Sequence, residues 1–154
     1  MAAEAQILAS RGKITPLYRV LLHSLPVAQG WEALLTAVRQ QTALDPAVRE
    51  LIILRVAVLN RAEYEYEAHL PFAREAGMSE RKIAAVKGTD LVHFDDTERA
   101  VLEYTDALTR EVQVDDAIFE RVRSHFDPRG LVEVTATIAA YNMVSRFLIG
   151  LDVH

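Results

Sequence analysis

Residues 44–77 read LDPAVRELIILRVAVLNRAEYEYEAHLPFAREAG, and this stretch predicts two helices joined by a tight turn. Asp45-Pro46 supplies an N-cap and the residue favoured at the first helical position, so one helix is expected over residues 46–59. Asn60-Arg61 is a suitable turn, because asparagine tolerates the left-handed conformation that ends helices. A second helix is expected over residues 62–76. The stretch therefore predicts a helical hairpin.

Three polar side chains of this hairpin, Glu50, Glu65 and His69, are the strongest indication of function. Glu65 and His69 are four residues apart, which places them about 40° apart on one helical face. Glu50 precedes His69 by nineteen residues, but the reversal at the turn brings all three to similar heights on facing helices. An imidazole beside carboxylates suits general acid–base catalysis. Taken alone, Glu65 and His69 are more typical of a surface pair worth a few tenths of a kcal/mol.

The same three residues could instead hold a metal ion. Glu50 would then supply the third ligand from the facing helix, as in the carboxylate-rich sites of helix bundles. The sequence lacks the repeated Glu-x-x-His pattern of dinuclear sites, and it contains no cysteine ligand. We therefore expect neither a metal nor a cofactor.

The rest of the chain also has helical rather than strand periodicity, with glycine and proline mainly at expected boundaries. Pro71 should bend or interrupt its helix, since it removes one backbone donor. Residues 1–14 are expected to form an N-terminal arm. Further helices are predicted over residues 26–41, 80–87, 95–110, 116–125 and 128–151. The chain is thus predicted to be all-α, a single-domain bundle of seven or eight helices over residues 1–154.

An internal echo suggests a duplicated helix–turn–helix unit. Asp45-Pro46 with Asn60 fourteen residues after the proline matches Asp127-Pro128 with Asn142, at an offset of 82. A duplication packed about a local pseudo-twofold axis would explain the match. Capped amphipathic helices also resemble each other by chance, so both interpretations remain open.

Composition and charge exclude several classes of function. The 154 residues carry a formal net charge of −5, and no Lys/Arg cluster offers the basic surface that nucleic acids require. We find no signal peptide and no membrane span, so a cytoplasmic protein is expected. The chain has no cysteine, which excludes disulfides and thiolate nucleophiles.

Two polar residues of the last predicted helix are candidates for binding a ligand. Asn142 and Arg146 lie one turn apart within an apolar run, and a buried arginine is rarely left unpaired. Arg146 therefore pairs with a core carboxylate, extends to the surface, or anchors the carboxylate of a ligand.

The order Glu50, eleven residues, Ala62, two residues, Glu65, three residues, His69 resembles the signature of the carboxymuconolactone decarboxylase and alkylhydroperoxidase D-like family. In the peroxidase branch that signature is Glu-x11-Cys-x-x-Cys-x3-His. Here Ala62 and Glu65 stand where the two cysteines would be. The similarity covers most of residues 20–150 and is also carried by residues 44–55, residues 73–79, and Tyr141 with Arg146.

The resemblance implies a lyase rather than a peroxidase. Peroxide reduction through a CxxC motif needs one thiolate to attack oxygen and a second thiol to resolve the intermediate. Neither thiol exists in this chain. The sequence is more similar to the cysteine-free branch, which includes the lactone decarboxylase of protocatechuate breakdown. That enzyme removes carbon dioxide from a γ-carboxylated unsaturated lactone without a cofactor, and the lactone carbonyl serves as the electron sink.

The resemblance also suggests a role for each candidate residue in a site that binds a small carboxylated lactone or a related cyclic acid. His69 would deliver or accept the proton on the dienolate, Glu65 would fix its tautomer or share the proton, and Glu50 would modulate their charge. The ligand also needs a cation for its carboxylate and a neutral donor for the lactone oxygen. The candidates for binding it are Arg146 or, less favourably, Arg55, together with Tyr64, Tyr66 and Asn142.

The alternative hypothesis is a non-catalytic, ligand-binding oligomer that keeps the fold without the chemistry. This hypothesis predicts a pocket that is filled by the side chains of Tyr64, Tyr66 and Trp31. In either case we expect a homo-oligomer, a trimer or hexamer as the resemblance implies, because the apolar fraction is high for a small helical domain. No nucleic-acid or membrane partner is expected.

Overall fold

The computed structural model describes residues 2–154, with side chains from residue 4, and within that range the protein is helical and contains no strand. The predicted all-α class is confirmed. A π-helical turn, Ala37–Gln41, follows the third helix. The nine α-helices of the described range are α1 (Ala2–Arg11), α2 (Pro16–Leu21), α3 (Leu25–Thr36), α4 (Pro46–Leu59), α5 (Glu63–Glu75), α6 (Glu80–Ala85), α7 (Asp96–Arg110), α8 (Asp116–Arg123) and α9 (Pro128–Gly150).

The predicted hairpin is formed by α4 and α5. The Asp45 carboxylate caps α4 by accepting hydrogen bonds from the backbone N–H groups of Ala47 and Val48 at 2.8 and 3.3 Å. The chain reverses at the predicted turn, but the left-handed residue is Arg61, with φ of 56°. Asn60 instead donates its side-chain amide to Asn142 Oδ1 at 2.9 Å. This turn allows residues of α4 and α5 to face each other.

Helix α4 is the central element of the fold, and its residues 50–57 are all buried, as expected of a helix that is apolar on most of its circumference. It packs against α5, α7 and α9. One side of α4 contributes Ile52, Ile53 and Val56 to a core shared with α3, α7 and α9. The opposite side contributes Leu51 and Leu54 to a second core beneath α5 and α6. Polar side chains on α4 are therefore held between two apolar clusters.

Two predictions of local structure were wrong, and the segment expected to form an N-terminal arm contains a packed helix. Within residues 2–14 of that segment, α1 packs on α3 and buries Ile7. The helix expected over residues 26–41 ends at Thr36 and continues as the π-helical turn. Helix α5 runs through Pro71 without interruption, since this exposed proline removes only one backbone hydrogen bond.

The offset of 82 residues has a structural counterpart. Asn60 and Asn142, which the echo makes equivalent, form a hydrogen bond with each other. The Asp127 side chain caps α9 by accepting from the backbone N–H of Gly130 at 2.7 Å, much as Asp45 caps α4. Such mutual contact is what a local twofold axis would require. The duplication itself stays a prediction.

None of the helices in residues 2–154 has a stretch of apolar residues long enough to cross a lipid bilayer.

Candidate active site

The hairpin brings Glu50, Glu65 and His69 into one buried hydrogen-bonded cluster. The distance from His69 Nδ1 to Glu50 Oε2 is 2.7 Å, and that from His69 Nε2 to Glu65 Oε1 is 3.0 Å. The exposed fractions are 1% for Glu50 and 5% for each of the other two. The predicted convergence of the three side chains is therefore observed. The alternative of an exposed i, i+4 pair does not fit this burial.

Both ring nitrogens of His69 face a carboxylate oxygen, and this fixes the number of protons that the cluster holds. Each of the two hydrogen bonds needs one proton. The cluster is therefore an imidazolium between two carboxylates, or a neutral imidazole with one carboxylic acid. Both forms carry a net charge of −1. A proton can pass from Glu65 through the imidazole to Glu50 without any change in that charge.

The environment of His69 favours its protonated form. Burial by itself lowers the pKa of His69, but the hydrogen bonds to Glu50 and Glu65 and the charges of both carboxylates outweigh burial. The pKa of His69 is therefore raised above its ordinary value. The raised pKa favours the imidazolium, which is the form that can donate a proton in general acid catalysis.

A cavity of about 380 Å³ lies beside this cluster, between α5, α9 and the segments from α1 to the π-helical turn. Glu65 and His69 line the cavity, whereas Glu50 lies behind the imidazole. Glu65 and His69 are thus the members of the cluster that a ligand can reach. The other polar and aromatic side chains of the wall are Arg11, Lys13, Thr15, Tyr18, Trp31, Arg39, Tyr64, Glu67, Phe72 and Tyr141.

Arg39 is the cation best placed to bind an anionic ligand. Its guanidinium lies 4.8 Å from the ring centre of Phe72, whose ring is in turn 5.5 Å from that of His69. Among the side chains described, Arg39 forms no ion pair, so its charge is available. It lies in the π-helical turn, and π-helical turns are frequent at functional sites.

Arg11 also lines the cavity, but it is already bound to the buried Glu32. Arg11 Nε donates to Glu32 Oε2 at 3.2 Å, and Tyr18 donates to the same oxygen at 2.5 Å. Burial raises the pKa of Glu32, but hydrogen bonds from Ser10, Tyr18 and Thr36 and the charge of Arg11 reverse the direction and lower it. This network fixes α1 and α2 against α3 and forms one wall of the cavity.

The structure does not bring Tyr66, Asn142 or Arg146 to the cavity, which corrects their expected role in binding a substrate. Tyr66 faces the core beneath α5 and α6, and its hydroxyl donates to the carbonyl of Ile83 at 3.4 Å. Arg146 is exposed and donates to Asn142 Oδ1 at 2.5 Å. Of the three alternatives for Arg146, extension to the surface is the one observed. Tyr64 does line the cavity.

Arg55, the less favoured cation for the substrate, has a structural role. Its Nε and Nη2 each donate to the Asp106 carboxylate at 2.6 Å. Its Nη1 donates to the carbonyls of Val86 and Gly88 at 2.6 and 2.7 Å. Four of the five guanidinium donors are therefore bound, and Arg55 is not part of the cavity wall.

Arg39 was not among the residues predicted from the sequence, although the sequence contains a signal for it. Trp31, Leu35 and Arg39 are spaced by four residues, so the arginine continues an apolar stripe toward the core. An arginine on a buried stripe needs a counter-charge or a ligand. The π-helical turn in which this arginine lies is not evident from the spacing.

These features agree with comparisons to known proteins. The model of the carboxymuconolactone decarboxylase family matches residues 26–107, and the chain belongs to that family. The chain is 33% identical over 117 residues to the uncharacterized protein YnjA of Escherichia coli strain K12. That match covers 75% of this chain and 64% of YnjA, less than two thirds of the relative's own length.

Two solved structures are similar over nearly the whole chain. ATU0492, a protein of unknown function from Agrobacterium tumefaciens, is 27% identical with a TM-score of 0.81, covering 88% of this chain and 94% of that one. An alkylhydroperoxidase AhpD core, an uncharacterized peroxidase-related protein from Ralstonia eutropha JMP134, is 18% identical with a TM-score of 0.83, covering 99% and 83%. At 18% identity the second likeness shows the fold alone. The expected alkylhydroperoxidase D-like fold is confirmed.

Proposed function

We propose that this protein is a cofactor-free lyase that decarboxylates a small carboxylated lactone or a related cyclic acid in the cavity beside His69. The observation that carries the proposal is the hydrogen bonding of both ring nitrogens of His69 to buried carboxylates. In this arrangement His69 and its two carboxylates hold a proton next to a cavity large enough for a small molecule. The name of the family to which the chain belongs supports the proposed class of substrate.

The reaction requires one proton to be delivered to carbon. When the bond to the substrate carboxylate breaks, carbon dioxide leaves and the electron pair passes through the ring to the lactone carbonyl oxygen. The resulting dienolate takes a proton on carbon from the cluster of Glu65 and His69. Glu50 keeps the imidazole oriented from behind, and solvent returns the proton through the open side of the cavity.

Arg39 takes the role that the sequence assigned to Arg146. Its unpaired guanidinium lies on the cavity wall, with Phe72 between it and His69. A guanidinium binds a carboxylate through two parallel hydrogen bonds and so fixes the direction of the ligand as well as its position. Arg39 is best suited to bind a second carboxylate of the substrate. The first carboxylate departs as carbon dioxide and must therefore not be held by a charged group of the protein.

Glu65 distinguishes this site from a thiol peroxidase. The Glu65 carboxylate occupies the position of the second cysteine of the CxxC motif, and its Oε1 lies 3.0 Å from His69 Nε2. A carboxylate can exchange a proton with His69, but it cannot form the sulfenic acid of the peroxidase reaction. Proton transfer is thus the chemistry that these side chains support.

The test is a screen of γ-carboxylated lactones and cyclic β-keto acids for release of carbon dioxide by metal-free protein. We expect turnover by the wild type and a loss of about a hundredfold to ten-thousandfold in His69→Ala, the usual contribution of a general acid–base group. Glu63→Gln, at an exposed position of the same helix, is the matched control and should remain fully active. Wild-type turnover that His69→Ala retains would contradict the proposal. Ligand binding without turnover would favour the non-catalytic alternative.

A further inference from the structure

Tyr141 is a buried residue whose hydroxyl has no hydrogen-bond partner among the described residues. The residue is 2% exposed, and none of the hydrogen bonds among the described residues involves its Oη. Within the same part of the chain, every fully buried side-chain nitrogen or oxygen has a partner. Tyr141 Oη is therefore not enclosed by protein. The small accessible surface of Tyr141 belongs to the cavity that the residue lines.

The ring of Tyr141 lies directly beside the proton-transfer cluster. Its centre is 5.4 Å from that of His69, and the two ring planes are nearly perpendicular at 89°. Tyr141 comes from α9, whereas Glu65 and His69 come from α5. A ligand in the cavity therefore meets the imidazole on one element and the phenol on another. A hydroxyl that the protein leaves unpaired at such a point is available to the ligand.

The phenol is held in its neutral, proton-bearing form. Burial raises the pKa of Tyr141 far above its ordinary value. The charge of Arg39 opposes this shift, while the charges of Glu65 and Glu50 add to it. A neutral phenol can donate a hydrogen bond to an oxygen and keep its proton afterwards. Tyr18, the other buried phenol of the wall, already donates to Glu32.

We propose that Tyr141 Oη donates a hydrogen bond to a carbonyl oxygen of the ligand, so that the site selects small carboxylates that also carry a carbonyl group. The inference rests on the proposed function and names the electrophilic group of that reaction. As the bond to carbon dioxide breaks, its electron pair ends on the carbonyl oxygen. The phenol keeps its proton and binds the developing oxyanion more strongly than the neutral carbonyl. Tyr141 thus replaces Tyr64 and Tyr66, which the sequence favoured for this role.

Binding of two matched ligands tests this role without any turnover. The probes are γ-butyrolactone-γ-carboxylate, which has both a carboxylate and a lactone carbonyl, and cyclopentanecarboxylate, which has the carboxylate alone. Isothermal titration calorimetry would compare wild type, Tyr141→Phe and the control Tyr66→Phe. Neither substitution removes a strong hydrogen bond within the protein, because Tyr141 Oη has none and Tyr66 Oη has one of 3.4 Å. Circular dichroism confirms that each variant is folded.

We expect Tyr141→Phe to weaken binding of the lactone carboxylate by about three- to tenfold, the usual effect of one neutral hydrogen bond. Binding of cyclopentanecarboxylate should not change, and Tyr66→Phe should affect neither ligand. Equal weakening of both ligands in Tyr141→Phe, or no weakening of either, overturns the role of Tyr141 and leaves the proposed function intact. Failure of the wild type to bind either carboxylate overturns the proposed function and this inference together.

Discussion

Helix α4 carries two buried charged residues, Glu50 and Arg55, that have different roles. Four of the five donors of Arg55 are bound by one carboxylate and two backbone carbonyls, all contributed by other segments of the chain. Glu50 binds His69, which in turn binds Glu65 at the edge of a cavity. Both residues are less than 5% exposed. Burial of a charge therefore does not by itself identify a functional site.

The difference lies in which groups can change protonation and which can be reached. A guanidinium remains charged at all accessible pH values, so the Arg55 cluster can only hold segments together. The His69 cluster contains an imidazole and two carboxylates, which are groups that can gain and lose protons, and two of these groups face the cavity. Titratable groups with access to a cavity are what separate a candidate active site from a structural ion pair.

The largest expected effect concerns stability, in the variant Arg55→Met. It removes the bidentate partner of Asp106, which keeps only Arg110 at 3.9 Å, and leaves the carbonyls of Val86 and Gly88 without this donor. The free energy of unfolding should therefore fall by about 3 kcal/mol. Urea denaturation followed by circular dichroism measures this. Arg74→Met, which breaks the exposed pair with Glu80, is the control and should cause no measurable change. A small loss in Arg55→Met would show that this cluster is not mainly structural.

An intermediate effect is expected for Glu50→Gln. The hydrogen bond to Glu50 is the main contact that raises the pKa of His69, so this pKa should fall in the variant. The loss of a charged hydrogen-bond partner should lower the free energy of unfolding by about 2 kcal/mol at a pH where His69 is protonated. An NMR titration of the His69 ring measures the pKa. An unchanged value in Glu50→Gln would contradict the role of Glu50, and Glu63→Gln serves as the control.

The smallest effect is the pH dependence of stability, which should differ between the two clusters. Because the pKa of His69 is raised in the folded state, its stabilising contribution is fully present below the unfolded value of 6.5. It is lost as the pH rises through the folded value, by roughly 1.4 kcal/mol for each unit of the shift. The difference in unfolding free energy between wild type and His69→Gln should therefore shrink from acidic to alkaline pH. The difference in unfolding free energy between wild type and Arg55→Met should stay constant over the same pH range. If both differences declined in parallel, the two clusters could not be distinguished by their pH dependence.

The sequence by itself determined the helices from α3 onward, the turn and the convergence of the three site residues. Asp45 and Asp127 each cap the helix that follows, and these hydrogen bonds span only two or three residues. The reversal at Asn60-Arg61 then follows from the end of one helix and the start of the next. The i, i+4 spacing of Glu65 and His69 places both on one face wherever the helix lies. Such features depend on neighbours in the chain and can be predicted from them.

Only the tertiary structure decided which side chains meet the cavity. Tyr64 and Tyr66 lie about 200° apart around α5, and local pattern does not tell which one faces the ligand and which faces the core. Arg39 lies in the π-helical turn and lines the cavity, while Arg146 is exposed on α9. The direction of a helical face is set by packing against elements distant in sequence. The binding residues of this protein therefore required the folded structure, whereas its proton-transfer centre did not.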